Sequence, residues 1–329
     1  MSTQETNLKA IADAIRAKTG LTGTIKASEF ASKIAAISTG VAKPGWVETN
    51  TNVNSGYGYA SICYGDGKFL AIPFGSGRKV AHSVDGINWV ESEFSFVGVS
   101  TVCYGNGKFV AIHPSGGAPY STDGVTWSVG NLPGQRNWIS ACYGGGKFVA
   151  LCGNDQQLPA YSTDGVTWSS GRLPVSANWK SVCYGNGKFV AVAYESAIAA
   201  YSTDGINWIQ STLPASRYYE PGSICYGNGK FVAVYGTNAI YSTDGINWIE
   251  VSIPNAYQSN YICYGNGKFI AIDSSTNRYH YSTDGINWTR GTLPKTRWSS
   301  VCYGDGKFVA LGHYKSTSMY LKDSFDELA

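Results

Sequence analysis

The chain has 329 residues, 43% of them hydrophobic and 14% aromatic, with 25 Lys and Arg against 22 Asp and Glu for a net charge of +3. That much aromatic material can bury a large core and excludes a disordered polymer. No apolar run approaches the roughly 18 residues of a membrane-spanning helix, and so small a charge with no basic run gives no case for nucleic acid as the main partner.

At the N-terminus, Met1-Ser2-Thr3-Gln4-Glu5 has no apolar core behind a basic start, so no signal peptide is expected. Leu8, Ile11, Ala12 and Ile15 fall at helical spacing and Gly20 is a stop. Ser28 caps a second short helix with Phe30, Ile34 and Ile37 on one face. Ser38-Thr39-Gly40 then makes a hinge. Two such helices bury little by themselves, so residues 1–40 are expected to be a docking module, anchored through Leu8, Ile11, Ile15, Phe30, Ile34 and Ile37.

From residue 41 the chain is repetitive. Cys-Tyr-Gly-x-Gly-Lys-Phe begins at Cys63, Cys103, Cys142, Cys183, Cys225, Cys263 and Cys302, at intervals of 38 to 42 residues. Between successive copies lies Ser-x-Asp-Gly-x-x-Trp, with Asp85, Asp123, Asp164, Asp204, Asp244 and Asp284 and with Trp89, Trp127, Trp168, Trp208, Trp248 and Trp288. The first motif occurs seven times and the second six. The missing copy is split between the two ends: Asp323 stands where the seventh Asp falls due, and Trp46 precedes Cys63 by 17 residues, within the 14 to 17 of the intact repeats.

The unit 179–214 shows what one repeat encodes. Strands are predicted at 181–184, 188–194, 200–203 and 207–210, with tight hairpin signals at Asn186-Gly187 and Asp204-Gly205 and a terminating Pro214. Seven four-stranded units closed by an N-terminal strand describe an all-β, seven-bladed β-propeller over residues 41–329, preceded by a small α-helical hairpin. A linear solenoid would need distinct capping repeats, whereas these ends complement each other. Both tight turns fall on one face. The second-to-third strand loops and the blade-to-blade loops fall on the other and vary in length and sequence, so function is expected there.

Ser-Thr-Asp-Gly-x-x-Trp resembles the Asp-box of sialidases and many other propellers, shortened by one residue between Asp and Gly. The resemblance implies a fold element in which Asp organises a turn and Trp packs between blades, and it implies no activity. A sialidase would need clustered arginines and a Tyr–Glu nucleophile pair. Arg78, Arg136, Arg172, Arg217, Arg278, Arg290 and Arg297 lie in or beside variable loops, but no spacing among the acidic residues there marks a carboxylate pair. No catalytic group is assigned, and the chain is expected not to be an enzyme. No cofactor is called for, and with four His and no Cys-x-x-Cys no metal site is expected.

The string Leu8-Lys-Ala-Ile-Ala-Asp-Ala-Ile-Arg16-Ala-Lys-Thr-Gly, followed by Ile25-Lys-Ala-Ser-Glu-Phe-Ala-Ser-Lys-Ile34, resembles a short module of tailed-phage virion proteins, common in phages of Gram-positive bacteria. It implies a virion protein attached through residues 1–40 to other phage structural proteins, a tail, baseplate or capsid component, with the rest displayed outward; free thiols are consistent with assembly in the reducing host cytoplasm. An unrelated amphipathic hairpin remains the alternative. Trimers are common among tail fibres of this family, so a homo-oligomer is compatible with the resemblance.

Candidate ligand residues come from the variable face. Tyr59, Trp138, Trp179 and Trp298 stand four residues before the motif Cys, where the innermost strand starts, and could stack on a sugar. Ordinary packing over the blade tops is the alternative. Tyr194 and Tyr235, with Tyr218, Tyr219, Tyr257 and Tyr314, are further candidates. The expected function is adhesion to a host-surface glycan or cell-wall polymer; a head or tail decoration protein without a ligand and a sialidase-like hydrolase are the alternatives. The once-per-blade Cys are expected to be free and the repeated Lys to form a solvated ring on the scaffold face, with docking of an acidic partner as the alternative.

Overall fold

A computed structural model describes residues 46–50, 58–154, 157–214, 222–257, 259–294, 297–312 and 317–321. The predicted N-terminal helices, with Leu8, Ile11, Ile15, Phe30, Ile34 and Ile37, lie outside the described residues, as do Asp323, Arg217, Tyr218, Tyr219 and Tyr314. Among the described residues, 28 strands form seven four-stranded antiparallel sheets and no helix occurs.

Six of the seven sheets follow chain order. In the first blade the order runs from Tyr59–Gly65 through Lys68–Pro73 and Lys79–Ser83 to Val90–Glu93. The first strands of successive blades pack against one another in a closed ring, the seventh (Trp298–Gly304) returning to the first. The last sheet takes its outer strand from the other end of the chain. Trp46–Asn50 pairs antiparallel with Thr317–Leu321, with Trp46 opposite Leu321. The fold is therefore the expected seven-bladed propeller, closed as the split repeat requires.

The two turns of each repeat are built differently. Asn186 and Gly187 have φ of 45° and 74°, the paired left-handed residues of a type I′ hairpin. Asp204-Gly205 does not make a two-residue hairpin. Ser202 Oγ donates to the Asp204 carboxylate at 2.9 Å and accepts the Gly205 N–H at 2.8 Å. Asp204 Oδ1 accepts the N–H groups of Ile206 and Asn207, each at 2.8 Å, and Asn207 Nδ2 donates to Oδ2 at 2.9 Å. The carboxylate holds a wider loop, so the fourth strand is Ile209–Thr212 and not 207–210.

The core lies between blades. Val149 and Leu151 of the third blade pack with Val182, Phe189, Ala191 and Trp208 of the fourth. The seam between last and first blades is alike: Val309 and Leu311 meet Tyr59, Ile62, Phe69 and Trp89. The second strands are apolar on both sides, as strands sandwiched by neighbours must be; Lys188–Tyr194 carries Phe189, Val190, Ala191, Val192 and Ala193 in a run of buried residues.

Candidate functional site

On the scaffold face several turn side chains bond to the neighbouring blade. Lys68 Nζ donates to the Asp123 carbonyl of the next blade at 3.1 Å, and Lys188 Nζ to that of Asp244 at 3.0 Å. Asn106 and Asn228 reach the carbonyls of Thr163 and Thr283 in the same blade-to-blade sense. These contacts tie neighbouring turns together at Lys68, Lys188, Asn106 and Asn228, whereas Lys307 pairs with Asp305 of its own turn at 3.1 Å.

The opposite face gives a different answer from the one expected. Tyr59, Trp138 and Trp179 are 0% exposed and Trp298 is 2% exposed, so their rings offer no face to a ligand. The cause is a register slip. Tyr59 pairs with Pro73 but Ser61 with Ile72, and the same extra residue follows Trp138, Trp179, Ser259 and Trp298. This bulge breaks the alternation of the strand. The ring turns into the inter-blade core, as Trp138 does against Val110 and Ile112, with its indole N–H on the Gly134 carbonyl at 3.0 Å. The residue three before the Cys is left at the channel.

Tyr235 is 4% exposed and donates its hydroxyl to Glu250 at 2.6 Å, so it too is structural. That pair supplies a Tyr–Glu contact, but Asn238 completes it, forming a bridge across three strands of the fifth blade. Tyr194 is half-buried and lies beneath Lys180, whose Nζ is 5.9 Å from the ring centroid. Tyr257 is 62% exposed in a loop.

The inner strands enclose a cavity of about 620 Å³ that reaches the variable face at Phe74, Gly75 and Gly98. Its wall carries aliphatic hydroxyls two residues before six of the seven motif Cys: Ser61, Thr101, Ser140, Ser181, Ser223 and Ser300. Several of these link neighbouring blades. Ser61 Oγ accepts the Val102 N–H at 3.3 Å, Ser140 that of Val182 at 3.2 Å, Ser181 that of Ile224 at 3.2 Å, and Ser300 that of Ile62 at 3.3 Å. The sixth blade breaks the ring with Tyr261, and the fourth places Lys180 one residue earlier, where its neighbours hold Ile139 and Gly222. Lys180 is the one charged side chain among the described residues lining the cavity. Burial pushes the Tyr261 phenol up. Both residues were visible in the sequence as departures from the repeat.

None of the described arginines lines the cavity: Arg136 is turned onto the Pro133 carbonyl at 3.0 Å and Arg278 onto that of Asn255 at 2.8 Å. No carboxylate lines it among the described residues, so the groups of a sialidase-type centre are not assembled there. Among the described residues no three of His, Cys, Asp and Glu are placed to hold a metal.

No family model matches the sequence, and no curated protein matches it. Solved structures share its architecture. The chain is similar to virginiamycin B lyase from Staphylococcus aureus, with 13% identity and a TM-score of 0.74 over 84% of this chain and 98% of that one. It is similar to YCF48 bound to D1 peptide, with 13% identity and a TM-score of 0.67 over 85% of this chain and 96% of that one. The WD40 β-propeller domain of Doa1 follows the same path, with 11% identity and a TM-score of 0.63 over 85% of this chain and 98% of that one. At these identities the likeness shows the fold, a seven-bladed propeller, and nothing finer. It corrects one expectation. Exclusion of enzymatic activity rested on the lack of a catalytic set in the repeats, and that exclusion falls because structures of this architecture include streptogramin B lyase.

Proposed function

We propose that the chain is a ligand-recognition module displayed on a phage particle. Residues 1–40 attach it to other virion proteins, and the variable-loop face of the propeller engages a host-surface glycan or cell-wall polymer. The observation that carries this is the contrast between the two faces. On one face the turns repeat bond for bond, from Ser83 and Asp85 to Ser282 and Asp284. On the other the loops differ blade by blade around an open cavity. Variation confined to one end of a rigid frame is the pattern of a binding surface. The resemblance of residues 8–34 to tailed-phage modules supports the setting. Single sugars bind such shallow surfaces weakly, so adhesion draws on many copies per particle.

The test is binding of the full chain, multimerised on beads, to an array of bacterial glycans and cell-wall polymers. A Phe74→Ala/Tyr257→Ala variant, altered at two exposed aromatic residues of the loop face, serves as comparison. Saturable binding that weakens in the variant is expected. Failure of the multimerised wild type to bind any polymer would overturn the reading in favour of a decoration role, and release of soluble fragments would add turnover to binding.

A further inference from the structure

We propose that the central cavity is itself the ligand site and that it selects an anionic, hydroxyl-rich group, a sugar or polyol bearing a carboxylate or phosphate, through Lys180 and Tyr261. This rests on the reading that the variable face takes a glycan or cell-wall polymer, and it names the chemistry and the place.

The departures from the repeat sit at the cavity. Each inner strand ends in the same Cys-Tyr-Gly, because those positions are packed by the adjoining blades. Two residues before the Cys, six blades carry Ser or Thr and the sixth carries Tyr261. A hydroxyl at that place accepts an amide from the next blade, a short reach that a phenol oxygen at the end of a ring does not reproduce. Tyr261 forgoes that link and supplies an aromatic surface to the cavity wall, the kind of surface that stacks on the apolar face of a sugar.

Lys180 adds charge. Its side chain is exposed, and its ammonium is positioned over the Tyr194 ring. No carboxylate among the described residues of the wall neutralises this charge, and a concave low-dielectric wall focuses its field on an entering anion. The hydroxyl ring supplies the complementary donors. The oxygens of Ser61, Ser140, Ser181 and Ser300 are engaged as acceptors, so each retains a proton to donate to a ligand oxygen. The volume of about 620 Å³ lies in the range of small-ligand sites.

The experiment is titration of the full chain with glucuronate, glycerol 3-phosphate and neutral glucose by ligand-observed NMR and calorimetry. Lys180→Ile and Tyr261→Ser are run beside wild type, each installing the residue a neighbouring blade already holds, and melting curves confirm that both fold. Wild type is expected to bind at least one anionic probe more tightly than glucose. The affinity should fall roughly tenfold or more in Lys180→Ile, as for loss of a charge-assisted hydrogen bond, and also in Tyr261→Ser. The uronate and polyol-phosphate arms decide which anion the site takes. No saturable binding of either anion, or equal affinity in wild type and both variants, overturns the proposal. If both variants also keep full binding on the polymer array, the loops are the site and recognition by the face survives without the cavity.

Discussion

Gly304, in the last repeat, lies directly beneath the ring of Tyr64 from the first: a Cβ on Gly304 would overlap the Tyr64 ring. The same pairing joins Gly65 to Tyr104, Gly144 to Tyr184 and Gly265 to Tyr303, so the seam that closes the propeller is built like the interfaces within it. A single methyl at that place tests closure directly. Gly304→Ala must displace the Tyr64 ring and is expected to cost about 1–3 kcal/mol, the usual range for overpacking. Calorimetry should show a lower Tm. Gly144→Ala, at an interior seam, should lose a similar amount, and an unchanged Tm in Gly304→Ala alone would mean that the ends are not tightly joined.

The closing strand makes a second prediction. Trp46 is 6% exposed and meets Tyr279 of the preceding blade edge-on, with centroids 5.9 Å apart. Trp46→Ala is expected to destabilise by about 3–5 kcal/mol, as for a buried Trp. Deleting residues 46–50 should do more, because it uncovers the edge of Thr317–Leu321 and the buried Leu321. Thermal melts and size-exclusion chromatography check both; a deletion variant that stays monomeric with the wild-type Tm would refute the strand's role.

The propeller was legible because its information is repeated. Seven Cys-Tyr-Gly-x-Gly-Lys-Phe copies and six Asp-Gly turns fix blade number and strand order, and Trp46 and Asp323 give away the closure by their distance from the neighbouring motifs. The ligand site was less legible because alternation along a strand fails at a bulge. Counting back from Cys142 places Trp138 at the channel, but the extra residue Ile139 shifts the phase by one and buries the indole. No motif announces that bulge. Tyr261 and Lys180 are readable in the sequence only as exceptions to the repeat, and it is the folded ring that brings them to one cavity.

The Asp turns make stability depend on acid. The Thr126 and Val125 amides hold Asp123 down from 3.8 to about 2. At Asp85, partial burial pushes the other way but is outweighed by the amides of Asn88 and Ile87 and the side chains of Asn88 and Ser83, and the result is again about 2. Asp164, Asp204, Asp244 and Asp284 are lowered in the same sense. A carboxyl lower in the folded than in the unfolded state stabilises above its unfolded value and loses that contribution as pH falls through the folded one. The Tm should therefore be flat above about pH 5 and drop between about pH 4 and 2. Asp204→Ala is expected to cost about 0.5–2 kcal/mol at neutral pH, as for loss of a capping side chain, and to shallow the acid limb. A Tm independent of pH down to 2 would exclude the carboxylates as turn organisers.

The thiols give a chemical readout of the closed ring. All eight Cys are free. Burial raises Cys103 to about 12 and pushes Cys63, Cys142, Cys183, Cys225, Cys263 and Cys302 well up, with the next thiol around the ring adding to the effect as Cys63 does for Cys302. Only the thiolate is nucleophilic, so the native chain at pH 8 should react with Ellman's reagent far more slowly than a free thiol of pKa about 8.5. In guanidinium chloride, all eight should titrate at once. Deleting residues 46–50 should raise the native rate, because Cys302 packs at the seam of the blade that this strand completes. Rapid reaction of the intact native chain would show that the inner strands open readily and that the seam is not closed in solution.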